Sequence, residues 1–212
     1  MEDIATVKRP AELDETTVDA NPVRQFQAWF DEALASGMPM ADAMTLCTAT
    51  AAGKPSARMV LLKGVDEAGF VFYTNYRSRK ARELDANPFA ALVFYWEPLE
   101  RQVRVEGRVS RTSAAESDRY FQTRPRESQL GAIASPQSEV IPSRSVLEKN
   151  FERLEAEFRD ESLPIERPAH WGGYRLVADR IEFWKSRPGR LHDRLLYERQ
   201  PDGSWRLTRL AP

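Results

Sequence analysis

The chain has 212 residues, 42% of them hydrophobic, enough to build one domain of generous size or two small ones around a real core. Its 31 Lys and Arg residues are balanced by 32 Asp and Glu, a formal net charge of -1, so nucleic acid and anionic membrane are not expected as partners and an anionic ligand must be met by a local cluster. A single cysteine, Cys47, excludes an intrachain disulfide framework and a thiolate metal centre, and no apolar run suits a signal peptide or a membrane span, which makes the cytoplasm the expected compartment.

Residues 1–20 lack periodicity and are expected to form a flexible N-terminal arm before a single domain over residues 21–212. Asn21-Pro22 opens a helix in which Phe26, Trp29, Phe30 and Leu34 recur at helical spacing, and Gly37 ends it. Four β-type runs follow, Met44–Ala51, Ser56–Lys63, Phe70–Thr74 and Phe89–Trp96, punctuated by Gly53-Lys54-Pro55 and Asp66-Glu67-Ala68-Gly69. Between the third and fourth runs, Ser78 caps a short helix through Leu84 that must stop before Asn87-Pro88. Gln102–Arg111 alternates, with Gln102, Arg104, Glu106 and Arg108 on one face and Val103, Val105 and Val109 on the other.

Two amphipathic helices, Ser113–Thr123 and Ser143–Arg159, flank the polar stretch Ala134–Ser138, the second presenting Val146, Leu147, Phe151, Leu154 and Phe158 to a core. The C-terminus returns to strands at Tyr174–Val177 and Arg180–Lys185. A hairpin of Arg194–Glu198 and Ser204–Arg209 follows, turned by Pro201-Asp202-Gly203. The whole reads as mostly β with α, an α+β domain built as an antiparallel barrel decorated with helices.

Four clusters carry candidate chemistry. Arg77, Arg79 and Lys80 crowd a helix N-terminus that is already partially positive, a conflict that a bound phosphate resolves and that a solvated basic turn merely tolerates. Arg58 and Lys63 bracket a strand and point to opposite faces unless a bulge intervenes, so they serve two anions or none. Tyr120 and Arg124 share a helix face with Ser128 just beyond, a grip for a second phosphate or an ordinary surface pair. Arg190, His192 and Arg194 line one side of an extended segment, suited to an anionic or heterocyclic ligand, with salt bridges to carboxylates as the alternative. His170 is expected to be structural. Dinucleotide, P-loop, zinc-protease and nucleophile-elbow motifs are absent and no metal is expected, so an enzyme of this kind would take its hard chemistry from an organic cofactor.

Read together, Arg58–Lys63, Phe72-Tyr73-Thr74-Asn75 with Ser78-Arg79-Lys80, Trp184, Arg190-Leu191-His192-Asp193-Arg194 and the closing Arg209-Leu210-Ala211-Pro212 resemble the pyridoxine/pyridoxamine 5′-phosphate oxidase family, from about Asn21 onward. The resemblance implies a split β-barrel homodimer with FMN at the subunit interface, oxidising pyridoxamine or pyridoxine 5′-phosphate to pyridoxal 5′-phosphate with O2 and releasing H2O2. An FMN split-barrel oxidoreductase with another substrate, or a non-enzymatic flavin or pyridoxal phosphate carrier, is the alternative.

By position, the resemblance assigns FMN contacts to Arg58, Met59, Val60, Leu61, Leu62, Lys63, Tyr73, Thr74, Arg79, Lys80, Gln102, Gln137, Ser138, Trp184 and Arg194. It assigns the substrate phosphate to Lys63, Tyr120, Arg124 and Ser128, and the substrate ring to Arg190, Leu191 and His192, with Arg190 and His192 as the catalytic pair. The arm departs from the family's pattern: it reads Lys8-Arg9-Pro10-Ala11-Glu12-Leu13-Asp14, with no tyrosine before Tyr73 to close over the substrate.

Overall fold

The structure is a computed structural model that describes residues 12–212. The arm expected over residues 1–20 therefore lies outside the described residues as far as Ala11. From Glu12 onward it is packed, not loose: Leu13 is buried in the core, Glu12 and Glu15 are ion-paired to Arg187 and Arg209 at 2.6 Å each, and the Tyr197 hydroxyl donates to the Asp19 carbonyl at 2.7 Å.

Helix α1 (Pro22–Ala35) starts where Asn21 accepts the Val23 and Arg24 amides, with Pro22 in the first turn where its missing N–H costs nothing. Its buried face is Phe26, Trp29 and Ala33; Leu34, expected on that face, is 53% exposed because Ala33 takes the inward position. Phe26 is the hub of the core, with the Phe70 and Phe94 rings each 4.9 Å away in edge-on geometry.

Among the described residues, nine antiparallel strands form one sheet: β1 (Ala43–Ala49), β2 (Pro55–Leu61), β3 (Gly64–Asp66), β4 (Gly69–Asn75), β5 (Phe89–Trp96), β6 (Arg101–Arg111), β7 (Trp171–Lys185), β8 (Asp193–Arg199) and β9 (Trp205–Arg209). The order is β2-β1-β5-β6-β7-β4-β3, and β8 joins β7 with β9 beyond it. β7 is the spine. One edge pairs with β6 along the strand's length, while the other pairs with β4 over Phe70–Asn75 and then with β8 from Arg180 onward. Two strands expected from the sequence are thus one, interrupted at Asp179, where the register against β6 shifts between Glu106 and Gly107.

Helix α2 (Arg79–Ala86) is capped by the Ser78 hydroxyl, and α3 (Ala114–Gln122) by Ser113. Two further helices, α4 (Arg126–Ala134), which the sequence reading missed, and α5 (Arg144–Glu157), close a second, smaller cluster around Phe121, Leu130, Leu154 and Trp171. Of the α5 residues expected in a core, only Leu154 is fully buried; Phe151 and Phe158 pack at its margin. No helix among the described residues is long and apolar enough to cross a membrane.

Candidate active site

A cleft of about 510 Å³ opens between β2, β4, α2 and the turn joining α3 to α4. On one wall lies the helix start that the sequence marked as overcharged. Lys80 is only 9% exposed, and its ammonium donates to Thr74 Oγ1 at 3.1 Å and Gln137 Oε1 at 2.9 Å. Burial, aided by the charge of Arg58, lowers its pKa to about 8. Arg58 reaches the same wall from β2, donating to Thr48 Oγ1 at 2.6 Å and to the Leu46 carbonyl at 3.1 Å.

The buried carboxylate of Glu83 holds this group together. It accepts from Thr48 and Ser56 at 2.5 Å and pairs with Arg58 at 3.3 Å and Arg79 at 2.9 Å. Burial alone would raise its pKa, yet the hydrogen bonds from Ser56, Thr48 and Arg79 hold it at about 2. Arg79 is not among the residues lining the cleft; its half-exposed side chain donates to Glu83 at its edge. Part of the conflict at this helix is therefore relieved by Glu83, which the i,i+4 spacing from Arg79 could have revealed. The rest falls on Lys80, which has no carboxylate partner among the described residues.

The opposite wall carries a second cationic group. Tyr120 stacks on Tyr73 with ring centroids 3.8 Å apart, Tyr73 lies beside Trp171 at 5.5 Å, and the Arg124 guanidinium sits 4.6 Å above the Trp171 ring. Nη1 of Arg124 is buried with no hydrogen-bond partner among the described residues, and burial lowers the pKa of its guanidinium. Ser128 on α4 lines the same wall. Lys63 also faces the cleft, paired with Asp42 at 2.7 Å. Arg58 and Lys63, expected on opposite faces, share the cleft because β2 ends at Leu61 and Lys63 belongs to the turn beyond it.

Of the other residues expected here, Met59, Val60 and Leu61 line the cleft from β2, whose outer edge has no strand partner among the described residues. Leu62 points into the core, and Ser138 is an exposed residue at φ 72°. Trp171, Thr123 and Pro125 line the cleft without having been singled out by sequence, since only the fold brings them there.

A second group of expected residues gathers at the far end of β7. Gln102 pairs across the ladder with Trp184, and Trp184 with Arg194. Arg194 is held by Glu182 through contacts of 2.8 and 3.1 Å, the salt-bridge arrangement given as the alternative for this segment. Arg190 does not lie on a strand beside His192 and Arg194. Pro188–Arg190 forms a tight turn with Gly189 and Arg190 both at positive φ, and the extended backbone starts only at Asp193. His192 packs against Trp184 at 4.6 Å and accepts the Arg187 amide on Nδ1 at 3.1 Å, while Arg190 and Leu191 face solvent. His170 has a structural setting, its ring nitrogen 3.3 Å from the Ala132 carbonyl.

An antiparallel split barrel with an aromatic cleft lined by several cationic side chains is the architecture in hand. Residues 30–158 match the family model described as pyridoxamine 5′-phosphate oxidase, and residues 171–212 match the one described as the pyridoxine 5′-phosphate oxidase C-terminal dimerisation region. The chain belongs to the pyridoxamine 5′-phosphate oxidase family. It is 58% identical over 213 residues to a protein of Rubrobacter xylanophilus, covering 99% of this chain and 97% of that one. It is 57% identical over 204 residues to a Cyanothece protein, covering 96% and 94%. Both relatives are called pyridoxine/pyridoxamine 5′-phosphate oxidase. The crystal structure of PhzG from Burkholderia lata, in complex with tetrahydrophenazine-1-carboxylic acid, superposes with a TM-score of 0.87 at 29% identity, covering 93% of this chain and 95% of that one.

Proposed function

We propose that the chain is an FMN-dependent oxidase that converts pyridoxamine 5′-phosphate and pyridoxine 5′-phosphate to pyridoxal 5′-phosphate, with O2 as acceptor and H2O2 as product. The observation that carries this reading is a single cleft lined by Arg58, Lys63, Lys80 and Arg124, enough cationic groups to meet two phosphates. Lys80, Thr74, Gln137 and Arg58 form the wall for the FMN phosphate, with Arg79 at its rim. The buried, unpartnered Nη1 of Arg124, with Lys63, Tyr120 and Ser128, forms the wall for the substrate phosphate. Met59, Val60 and Leu61 offer the free edge of β2 to the flavin ring. Bound in this cleft, FMN supplies the hydride acceptor and the onward path of the electrons to O2.

Gln102, Trp184, Arg190, Leu191, His192 and Arg194 lie at the other end of β7. Trp171 and Trp184 are separated by about 40 Å of strand path at the usual rise per residue. A ligand in the cleft of one chain meets these residues from a second copy, so the proposed enzyme is a homodimer with composite sites. Leu62, buried in the core, can offer only its backbone, whereas the exposed Ser138 is free to contribute its hydroxyl. His192 accepts a backbone N–H on Nδ1, so its neutral ring carries the proton on Nε2 and presents a donor to the substrate ring. Arg190 would orient the substrate against the flavin.

Purified protein is expected to be yellow and, on addition of pyridoxamine 5′-phosphate in air, to form pyridoxal phosphate and peroxide together. Arg190→Ala is expected to depress turnover far more than FMN affinity. A yellow protein inert toward both phosphorylated vitamers overturns the substrate assignment and leaves the family's flavin binding for another reaction.

A further inference from the structure

The turn that presents Arg190 and His192 is short of backbone support. Its only internal backbone hydrogen bond among the described residues is a long one, Leu191 N–H to the Pro188 carbonyl at 3.4 Å, and Gly189 and Arg190 both take the left-handed conformation. What holds the two ends is a pair of side chains. Arg187, where the turn begins, places Nε 3.3 Å from Asp193 Oδ2, where it ends, close enough for an ion pair though not aligned for a hydrogen bond. The other oxygen of Asp193 accepts from Arg209 Nη1 at 2.9 Å.

Each of these arginines reaches one step further. Arg187 pairs with Glu12 at 2.6 Å, and Arg209 pairs with Glu15 at 2.6 Å while donating to the Leu13 carbonyl at 3.1 Å. The result is an alternating row, Glu12, Arg187, Asp193, Arg209, Glu15, with Asp193 as the one carboxylate between two guanidiniums. The same Arg187 whose side chain Asp193 fixes also supplies the backbone N–H that sets the His192 ring.

We propose that Asp193 is a positioning residue for the reaction: it clamps the turn bearing Arg190 and His192 and ties that turn to the segment Glu12–Glu15. The inference rests on the reading that Arg190 and His192 face the substrate. Both carboxylate oxygens of Asp193 face guanidiniums, Oδ2 that of Arg187 and Oδ1 that of Arg209, so it acts on the substrate through the turn they hold. Without its charge the two arginines lose their common partner, the turn can open, and the Arg187 amide no longer holds the His192 ring in one orientation.

The test is the near-isosteric Asp193→Asn, measured in the FMN-loaded enzyme, alone and combined with Arg190→Ala. The single substitution is expected to lower kcat/KM for pyridoxamine 5′-phosphate by about tenfold to a hundredfold, as small misplacements of catalytic groups do. FMN affinity and the melting temperature should stay close to those of the parent. Arg187→Gln, which breaks the clamp from the other side at a more exposed residue, is expected to give the same pattern. In the Arg190→Ala background, Asp193→Asn should cost much less than it does alone, because the turn it positions has already lost its guanidinium.

Unchanged kcat/KM in both single variants overturns the clamp while leaving the role of Arg190 intact. A loss of the same size in both backgrounds also overturns it, since that is the mark of a general effect on the fold. If Arg190→Ala itself turns over normally, the substrate-facing turn and the clamp fall together.

Discussion

Lys80 allows the proposed FMN phosphate site to be tested without any turnover. Its pKa is lowered from 10.5 to about 8 by burial and by the charge of Arg58. At 1.36 kcal/mol per unit, keeping it protonated in the unliganded protein costs at most about 3 kcal/mol, less whatever solvent reaches its tip. Since the folded value lies below the unfolded one, the unfolded chain binds more protons between about pH 8 and 10.5, and the stability of the unliganded protein should rise with pH across that window.

Ligand binding should run the other way. A phosphate beside Lys80 requires the ammonium form, so FMN binding above pH 8 takes up a proton and the dissociation constant should grow about tenfold between pH 7 and pH 9. Titration by quenching of flavin fluorescence measures this directly, with riboflavin, which has no phosphate, as the control that should stay level. Lys80→Met should flatten the FMN curve, weaken binding at pH 7 and stabilise the unliganded protein by about 1 to 3 kcal/mol. FMN affinity indifferent to pH over this range, or a Lys80→Met protein that melts lower without ligand, would refute the reasoning.

Three further outcomes follow from the packing. Gly107→Ala places a Cβ 2.0 Å from the Val177 carbonyl and 2.9 Å from Ala178 Cα, both backbone atoms that cannot swing aside. A loss of about 2 to 3 kcal/mol in urea unfolding is expected, and a neutral result would mean that the ladder beside Asp179 is looser than described. Arg124→Leu removes the unpartnered guanidinium and should raise KM for pyridoxamine 5′-phosphate by at least about tenfold with FMN affinity preserved; equal loss of both would merge the two walls into one site. Gly173→Ala sets a Cβ 2.8 Å from Tyr73 Cε1 and 2.5 Å from Thr112 Oγ1, so Tyr73 must leave its stack on Tyr120, visible as a changed near-ultraviolet circular dichroism spectrum together with a raised KM.

Local periodicity carried most of the fold. β5 runs from Phe89 to Trp96 as its pattern indicates, and β6 buries Val103, Val105 and Val109 on one face. What the sequence hid has identifiable causes. β3 is three residues long, too short for any alternation to register. α4 has Pro125 at its N-cap position and no side-chain cap, so the usual start signal is missing. Asp179-Arg180 looks like a break between two strands because the register shift places polar residues mid-strand.

The cationic groups were legible for a different reason, since Arg and Lys at a helix start or a strand end break a local rule. Their partners were mostly not: Asp42, Glu182 and Trp171 reach Lys63, Arg194 and Arg124 only through tertiary packing. Arg190 was placed on a strand because the period-2 pattern through Arg194 says nothing of the positive φ at Gly189 and Arg190 that bends the chain.

The length of β7 has a genetic consequence. The strand carries Trp171 at the cleft and Trp184 at the opposite group, so in the proposed dimer damage at its two ends would strike different halves of each shared site. A chain carrying Lys80→Met and a chain carrying Arg190→Ala, each inactive as its own pair, would assemble into mixed pairs having one site built from two sound halves and one from two damaged ones. Random association should then restore about a quarter of the parental activity. Two damaging alleles at opposite ends of this strand would complement each other in one cell, whereas two at the same end would not.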